Sequence, residues 1–319
     1  MSDEAPRSRV LAAFVAVYLF WGSTYLFIKF AVASIPPLGL AGVRFLLAGL
    51  LLYGIGMLRG ARPPRPVHWR SALIVGAMLM TSNAGVAWSV RLIPSGVASL
   101  LVAITPCWMV LFDWAGARDR RPHWGVSLGL ITGLIGVGIL IGPGELLGGE
   151  RIDVAGAGVV LGGTAIWAIG SLYARKAPRP RSPQLLSGMQ MICGGAILTV
   201  VSVFTHQWDG FSIANTPALA LWSFVYLVIF GSVIAFSAYM FLLTESTPAR
   251  VSTYAYVNPV VAVLLGWGFA GESLTPRMMV AAGVIVGAVA LIVSFGAAPA
   301  PQRVTVRTDE FPVATTDSA

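Results

Sequence analysis

Charged residues are scarce in this chain of 319 residues: they make up 11% of the sequence, against about 25% in typical soluble proteins. Hydrophobic residues make up 56%, and the mean hydropathy is +0.80. This composition indicates a membrane protein with several spans. The pI of about 10.0 does not indicate a nucleic-acid partner, because the basic residues gather in loops between apolar runs, as the orientation signals of membrane proteins do.

Residues that carry out chemistry are also few. The two cysteines, Cys107 and Cys193, lie within apolar runs and are not expected to form a disulfide. The three histidines, His68, His123 and His206, lack the spacing of metal ligands. No serine or cysteine has a recognisable base nearby, and no phosphate-binding GxxxxGKS or GxxxxGKT motif is present. We therefore expect no catalytic residue, metal or cofactor, and neither an enzyme nor an ATP-driven pump.

Ten apolar segments are long enough to span a bilayer, and the connections between them are short. They lie at residues 10–31, 38–58, 71–92, 95–116, 124–142, 154–174, 184–204, 218–242, 249–270 and 278–296. The pattern predicts an all-α membrane protein. Residues 1–9 are predicted to be a cytoplasmic segment, and 297–319, rich in Ala, Pro, Thr and acidic residues, a disordered cytoplasmic tail.

The basic residues also predict the orientation of the chain. If the N-terminus is cytoplasmic, sixteen Lys and Arg residues fall on the inside, and Arg44 lies within a helix. The outside then holds only Lys29, Arg91, Arg151 and Arg277. Cytoplasmic loops carry the excess of positive charge, so both termini are predicted to be cytoplasmic.

The two halves of the sequence resemble each other at nearly constant offsets. An offset of 146 pairs Trp21 with Trp167, Lys29 with Arg175, Pro37 with Pro183 and Gly42 with Gly188, and offsets of 153 and 154 pair Thr105-Pro106 with Asn258-Pro259, Asp119 with Glu272, and Gly129-x-x-x-Gly133 with Gly283-x-x-x-Gly287. A unit of five helices crosses the membrane an odd number of times, so its second copy is inverted. We therefore predict two inverted five-helix repeats, at 10–142 and 154–296, an architecture in which secondary transporters place their substrate at the repeat interface.

The stretch from Ser252 to Pro259 is polar and aromatic although it lies inside a predicted span. Pro259 frees the backbone carbonyl of Ala255, which then needs a partner inside the protein or in water. One interpretation is a kinked packing helix, and the other is a helix that lines a substrate path. The corresponding Thr105-Pro106 step in the other half favours the second interpretation.

Polar and aromatic residues within the predicted helices are candidates for a substrate path. They are Trp21, Ser23, Thr24, Tyr25, Arg44, Asn83, Trp88, Thr105, Pro106, Trp167, Tyr239, Tyr254, Tyr256, Asn258 and Pro259. For the hydroxyls, the alternative is a hydrogen bond back to their own helix. Arg44 lies six residues into the second helix, about 9 Å along its axis, where it must snorkel, make a structural hydrogen bond or contact an anionic group of the substrate.

The acidic residues lie near the predicted helix ends, so proton coupling through a carboxylate at mid-membrane is not expected. Glu272 is instead expected to cap or tether a helix end, with Arg277 as a candidate partner. Lys29 is expected to be a snorkelling anchor.

Several motifs resemble those of the EamA-type transporters, a family of the drug/metabolite transporter superfamily, and within it the YedA-like exporters. These motifs are Trp21-Gly-Ser-Thr-Tyr25, Pro36-Pro37, Gly42-Val-Arg44-Phe45, Pro94-Ser-Gly96, and the run from Tyr254-Ala-Tyr-Val-Asn-Pro to Leu265 with Gly271-Glu272. The resemblance covers roughly residues 10 to 296. It implies ten helices in two inverted repeats, the plasma (inner) membrane, and export of small metabolites or drugs.

The sequence therefore predicts a secondary transporter that exports small metabolites, such as amino acids or related compounds, or drugs by alternating access. One alternative is a nucleotide-sugar or nucleoside carrier, for which several cationic groups are expected near the cavity, whereas only Arg44 is a candidate. The others are a membrane protein that transports nothing and an enzyme acting on lipid-borne substrates. The expected partners are a small-molecule substrate and the lipid bilayer, without nucleic acid. The sequence does not predict the oligomeric state.

Overall fold

The computed structural model describes residues 6–116, 123–141, 152–246, 251 and 253–296. Every regular element in these ranges is a helix. The helices are α1 (Arg7–Val32), α2 (Pro37–Leu58), α3 (Pro66–Ser89), α4 (Ser95–Val102), α5 (Thr105–Gly116), α6 (Trp124–Ile141), α7 (Val154–Lys176), α8 (Pro183–Phe204), α9 (Ala218–Tyr226), a π-helical segment (Leu227–Ile234), α10 (Ala235–Glu245), α11 (Tyr254–Ala270) and α12 (Pro276–Gly296). The predicted tail, 297–319, lies outside the described residues.

Within the described ranges, nine helical segments are long and apolar enough to cross a membrane. Two of them are composite: α4 and α5 form one segment, Ser95–Ala115, and α9, the π-helical segment and α10 form another, Ala218–Leu242. The tenth, α11, is apolar but has only 17 residues. The prediction of an all-α membrane protein with ten segments is therefore confirmed, with one short member.

Prolines set the start of four helices. Pro37, Pro66, Pro183 and Pro276 each occupy the first position of their helix, where the missing N–H costs nothing and the fixed φ favours the helix. This explains why α3 begins five residues before the predicted start of 71. At the other end of α11, Gly271 has φ +63° and closes the helix in the left-handed conformation.

The two Pro-containing segments differ in where they break. The fourth segment is interrupted by a turn at Ala103 and Ile104, immediately before Thr105-Pro106. Pro259, in contrast, lies inside the continuous helix α11, Tyr254–Ala270. Pro259 therefore does not interrupt its helix, although it removes the hydrogen bond that a backbone N–H at this position would donate to the carbonyl of Ala255.

The inverted repeat is visible where α2 packs against α8. A Cβ atom at Gly49 would lie 2.9 Å from the carbonyl oxygen of Gly188, and one at Gly188 would lie 3.0 Å from the carbonyl oxygen of Gly49. Likewise, a Cβ atom at Gly195 would lie 2.9 Å from the carbonyl oxygen of Gly42. The offset of 146 relates Gly49 to Gly195 and Gly42 to Gly188. The contact between Gly49 and Gly188 therefore corresponds to the contact between Gly195 and Gly42, as a two-fold relation between the halves requires. The predicted fold of two inverted repeats is confirmed.

The last helices of the two halves, α6 and α12, also pack together. Gly129 and Gly136 face α12, because Cβ atoms there would lie 2.7 Å from side-chain atoms of Ile292 and Ile285. Added Cβ atoms at Gly283 and Gly287 would meet nothing within 4 Å. The matching glycine spacing in α12 therefore does not reflect a matching contact in the described structure.

The connectivity defines two membrane faces. We call the face where α1 begins the Arg7 face and the face where α1 ends the Ala33 face. The largest buried core joins the ends of several helices near the Ala33 face and includes Ile35, Val97 and Met278. A smaller core near the Arg7 face joins the start of α1 to the end of α10, through Val17 and Leu242.

Candidate functional site

Trp21, in the middle of α1, joins three helices. Its indole Nε1 donates a hydrogen bond of 3.2 Å to the carbonyl oxygen of Gly231, in the π-helical segment. Its ring lies 5.1 Å from that of Tyr239 on α10 and 5.2 Å from that of Tyr254 on α11, and the two tyrosine rings are 5.7 Å apart. With Phe236, 6.0 Å from Trp21, these residues form what we call the aromatic cluster. The structure thus brings together three candidates that are distant in sequence.

The packing of α1 against α10 and α11 continues from the aromatic cluster toward the Arg7 face. Beyond it, Val17, Leu242 and Val251 are buried against each other. Tyr18 and Thr253 form a hydrogen bond between their hydroxyl groups. The contacts among these three elements are therefore dense from Trp21 to the Arg7 face.

The hydroxyl and amide candidates mostly bond to their own helix. Thr24 Oγ1 donates to the carbonyl of Trp21 at 2.6 Å, and Asn83 Nδ2 donates to that of Leu79 at 3.1 Å. Thr105 Oγ1 donates across the turn between α5 and α4, to the carbonyl of Val102 at 2.6 Å. This is the alternative expected for small polar residues in membrane helices. Ser23 differs, since its Oγ lies 2.7 Å from the hydroxyl of Tyr226 as well as bonding to the carbonyl of Phe20.

Arg44 is buried, with a relative exposure of 6%. Its Nε donates a 2.9 Å hydrogen bond to Ser232 Oγ, and its guanidinium carbon lies 4.8 Å from the ring centroid of Phe45. Gly231 makes room for the guanidinium, because a Cβ atom there would lie 3.2 Å from Nη2 of Arg44 and 2.9 Å from Cγ2 of Thr24. Arg44 therefore does not snorkel to a membrane face.

The π-helical segment positions both Arg44 and Trp21. Its Gly231 accepts the hydrogen bond of Trp21 and its Ser232 accepts that of Arg44. π-Helical turns are rare and are frequently found at functional sites. The sequence analysis did not predict the π-helical segment or the role of Gly231. A glycine in an apolar run indicates only that helices pack closely there.

Asn258 and Pro259 lie where α11 crosses α1. A Cβ atom at Gly22 would lie 2.6 Å from Cβ of Val261 and 3.3 Å from the carbonyl oxygen of Asn258. Asn258 is 8% exposed, and within the described part of the chain its buried Oδ1 has no hydrogen-bond partner. Tyr25, one turn after Trp21 in α1, and Tyr256, two residues before Asn258 in α11, are half-buried and pack against the largest core.

Two tryptophan candidates lie away from the aromatic cluster. Trp88 lines an open cavity of about 410 Å³ at the Ala33 face, together with Arg91, Gln207 and Asp209. Trp167 packs against the core that joins α2, α3 and α8. The repeat counterparts Trp21 and Trp167 are therefore not equivalent in their contacts.

Glu272 joins three elements at the Ala33 face. Its Oε1 accepts hydrogen bonds from Lys29 Nζ at 2.6 Å and from the backbone N–H of Ser95 at 2.7 Å, and its Oε2 accepts one from the backbone N–H of Gly96 at 3.0 Å. Burial alone would raise the pKa of this carboxyl group, but these hydrogen bonds outweigh burial and hold the pKa below its ordinary value. The expectation that Glu272 caps a helix end is confirmed, since it caps α4. Lys29 pairs with it and is not a snorkelling anchor.

Among the described residues, no group of three or more His, Cys, Asp or Glu side chains is placed to hold a metal ion.

Two inverted five-helix repeats, with a polar and aromatic group between α1 and the second half, define a multi-pass membrane protein of the architecture used by secondary transporters. The chain belongs to the EamA-like transporter family, whose model matches residues 8–142 and 154–294.

Relatives of known sequence cover most of the chain. The chain is 37% identical over 287 residues to the uncharacterized inner membrane transporter YedA of Escherichia coli strain K12, covering 89% of this chain and 90% of YedA. It is 24% identical over 290 residues to the uncharacterized transporter YvbV of Bacillus subtilis strain 168, covering 91% and 93%. It is 26% identical over 282 residues to an S-adenosylmethionine/S-adenosylhomocysteine transporter of Chlamydia trachomatis serovar L2, covering 83% of each. The similarity to YedA-like transporters predicted from the motifs is thereby confirmed.

One solved crystal structure of a protein has the same fold. It is 21% identical to this chain, with a TM-score of 0.60, and the match covers 90% of this chain and 98% of the other.

Proposed function

We propose that this protein is a secondary transporter that exports small metabolites, such as amino acids or related compounds, or drugs by alternating access. The observation that supports it most is the pair of different contacts that hold α1 against the second half. On the side of the Arg7 face, Tyr18 is hydrogen-bonded to Thr253, and Trp21 packs on Tyr254 in the middle of α1. At the Ala33 face, Lys29 is paired with Glu272.

Alternating access requires that the path open to one face while it stays closed to the other. Both contacts of α1 involve α11 or the loop that follows it. A tilt of α1 relative to α11 would therefore separate one contact while it preserved the other. The close crossing at Gly22, against Asn258 and Val261, is a suitable pivot because it lies between the Tyr18–Thr253 hydrogen bond and the Lys29–Glu272 pair.

In the proposed motion, the contact between α2 and α8 stays fixed. Glycines on both helices bring the backbones together, so that each repeat is anchored to the other through its second helix. We propose the repeats to be residues 10–142 and 154–296, which rock about this interface.

The inner membrane is the proposed location, with both termini in the cytoplasm. The name of the E. coli relative, an inner membrane transporter, supports it. The excess of Lys and Arg in the loops on the Arg7 face supports the orientation. In this orientation, export is movement from the Arg7 face to the Ala33 face.

A carrier of nucleotide sugars is less well supported. Phosphate groups call for several cations in the path, and among the described residues the buried cations are Arg44 and Arg277. Arg277 is the second residue of α12, at the Ala33 face. The relative that is named a transporter of S-adenosylmethionine and S-adenosylhomocysteine favours solutes related to amino acids over phosphorylated ones.

A toxicity screen tests the proposal in cells. Cells with and without the protein are challenged with amino acids, amino-acid analogues and cationic drugs, and membrane abundance is measured in parallel. The proposal expects resistance to one chemical class, together with faster efflux of a labelled member of that class. Equal sensitivity in both strains, together with no solute movement in liposomes that contain the purified protein, would exclude transport.

A further inference from the structure

Arg44 carries a buried positive charge that its surroundings only partly satisfy. Its Nε donates a hydrogen bond to the hydroxyl of Ser232, which is a neutral acceptor. Within the described ranges, neither Nη1 nor Nη2 has a hydrogen-bond acceptor, and no carboxylate pairs with Arg44. The acidic residues that the structure describes lie at helix ends or in loops, and they are Asp113, Asp153, Asp209, Glu245 and Glu272.

A buried cation without a counter-charge is expensive, since the desolvation of an ion costs several kcal/mol even after the protein relaxes. Ionisable residues inside membrane helices therefore usually serve a solute or ion path and have a partner there. The guanidinium is planar and presents its donors as a fork, which fits the two oxygens of a carboxylate. The Nη1 and Nη2 groups of Arg44 are thus suited to bind an anionic group of a solute.

The corresponding position of the second repeat carries no charge. At the offset of 146 that relates α2 to α8, the counterpart of Arg44 is Gln190. Gln190 is buried to a similar degree, at 9% exposure. Of the two corresponding positions, the one in the first repeat thus carries a charge and the one in the second repeat carries a neutral side chain with hydrogen-bonding atoms.

The neighbourhood of Arg44 offers an apolar surface next to the charge. Gly231 lies against Nη2 of Arg44 and its carbonyl accepts the indole hydrogen bond of Trp21. The aromatic cluster and the guanidinium thus meet at one turn of the π-helical segment. A solute held by both would carry a carboxylate beside an apolar or aromatic group.

We propose that Arg44 binds the carboxylate of the transported solute, and that the aromatic cluster contacts its apolar part. This inference rests on the proposed transport function and specifies its substrate class as amino acids and other small carboxylates with an apolar side. Cationic and uncharged drugs lack the group that Arg44 binds.

The test compares carboxylates with their amides on the purified full-length protein. The probes are L-leucine, L-phenylalanine and 3-phenylpropionate, each paired with its primary amide, and binding is measured by isothermal calorimetry. Wild type is expected to bind at least one carboxylate about tenfold or more tightly than its amide, since a hydrogen bond to a charged group contributes about 1.5–3 kcal/mol. Arg44→Gln, which copies the residue of the second repeat, is expected to remove that preference.

Two further variants separate charge from fold. Arg44→Lys keeps the charge and is expected to keep part of the preference, although it loses the fork. Arg59→Gln removes an exposed arginine just after the end of the same helix and is expected to bind as wild type does. If wild type binds no carboxylate of the panel, or binds carboxylate and amide equally, the inference is wrong. It is also wrong if Arg44→Gln retains the full preference.

Transport in liposomes distinguishes this inference from the proposed function. If the protein moves solutes but treats carboxylates and amides alike, the transport function stands and the role of Arg44 fails. If carboxylates bind through Arg44 but no probe crosses the membrane, the binding site stands and the transport function fails.

Discussion

Lys29 Nζ lies 2.6 Å from Glu272 Oε1, and the same carboxylate caps α4 through the backbone N–H groups of Ser95 and Gly96. One side chain therefore joins the end of α1, the start of α4 and the loop after α11. A carboxylate at a helix N-terminus is stabilised by the free N–H groups and by the helix dipole. In our account this contact keeps the Ala33 face closed.

Removal of the Glu272 charge should loosen the Ala33 face. Glu272→Gln is expected to destabilise the protein by roughly 1–3 kcal/mol, because Lys29 loses its partner and the N–H groups of α4 lose a charged acceptor. The melting temperature of the purified protein measures this loss. Lys29→Met should have the smaller effect, since it leaves the cap on α4 intact, and an equal or larger loss would contradict our view of Glu272.

The same carboxylate predicts a pH dependence. Because its pKa in the folded protein lies below the ordinary value, its contribution to stability is fully present above about pH 4.3, the ordinary pKa of Glu. It is lost as the pH falls through the lower pKa of the folded state. The difference in melting temperature between wild type and Glu272→Gln should therefore stay constant from pH 7 to 5 and shrink below about pH 4. A difference that shrinks already between pH 7 and 5 would show that the pKa is raised instead.

The interface of α2 and α8 should be sensitive to single methyl groups. In Gly49→Ala, the new Cβ would lie 2.7 Å from the backbone nitrogen of Ile192 and 2.9 Å from the carbonyl of Gly188, and overpacking of this kind costs about 1–3 kcal/mol. Gly287→Ala is the control, because an added Cβ there meets nothing within 4 Å. We expect a lower melting temperature for Gly49→Ala and an unchanged or slightly higher one for Gly287→Ala. Equal values for the two variants would argue against the close contact.

The aromatic cluster should matter for transport more than for folding. Tyr254→Ala is expected to lower resistance and efflux severalfold at unchanged membrane abundance, because it removes a ring that contacts Trp21 and Tyr239. Tyr254→Phe keeps the ring and should retain most of the activity. Loss of the protein from the membrane in Tyr254→Ala would indicate a structural role instead.

Asn258→Ala tests the point where α1 and α11 cross. Its side-chain oxygen is buried without a partner in the described structure, so its removal should cost little stability. We expect reduced efflux with a melting temperature close to that of wild type. Normal efflux would remove Asn258 from the candidate path.

Much of the fold could be predicted from the sequence. Pro37, Pro66, Pro183 and Pro276 mark helix starts by a local rule, and the constant offset between Gly42 and Gly188 gave the inverted repeat. These signals are local or periodic, and so they can be read without a structure.

The site was predicted less completely, because it depends on contacts between distant segments. Glu272 meets α4 across 177 residues of sequence, and the π-helical segment that holds Gly231 and Ser232 has the same apolar composition as an ordinary α-helix. Arg44 stood out from the sequence as a charge in a membrane helix, but its partner Ser232 became evident only from the packing of α2 against the π-helical segment.

Transport with the Arg7 face locked tests the central claim most directly. Tyr18 and Thr253 are hydrogen-bonded across α1 and the start of α11, so cysteines at these positions, in a chain with Cys107→Ala and Cys193→Ser, can be linked by a short bifunctional thiol reagent. Our account predicts that the linked protein stops moving solute in liposomes, while the unlinked double-cysteine protein remains active. Undiminished transport by the fully linked protein would contradict alternating access through the space between α1 and α11.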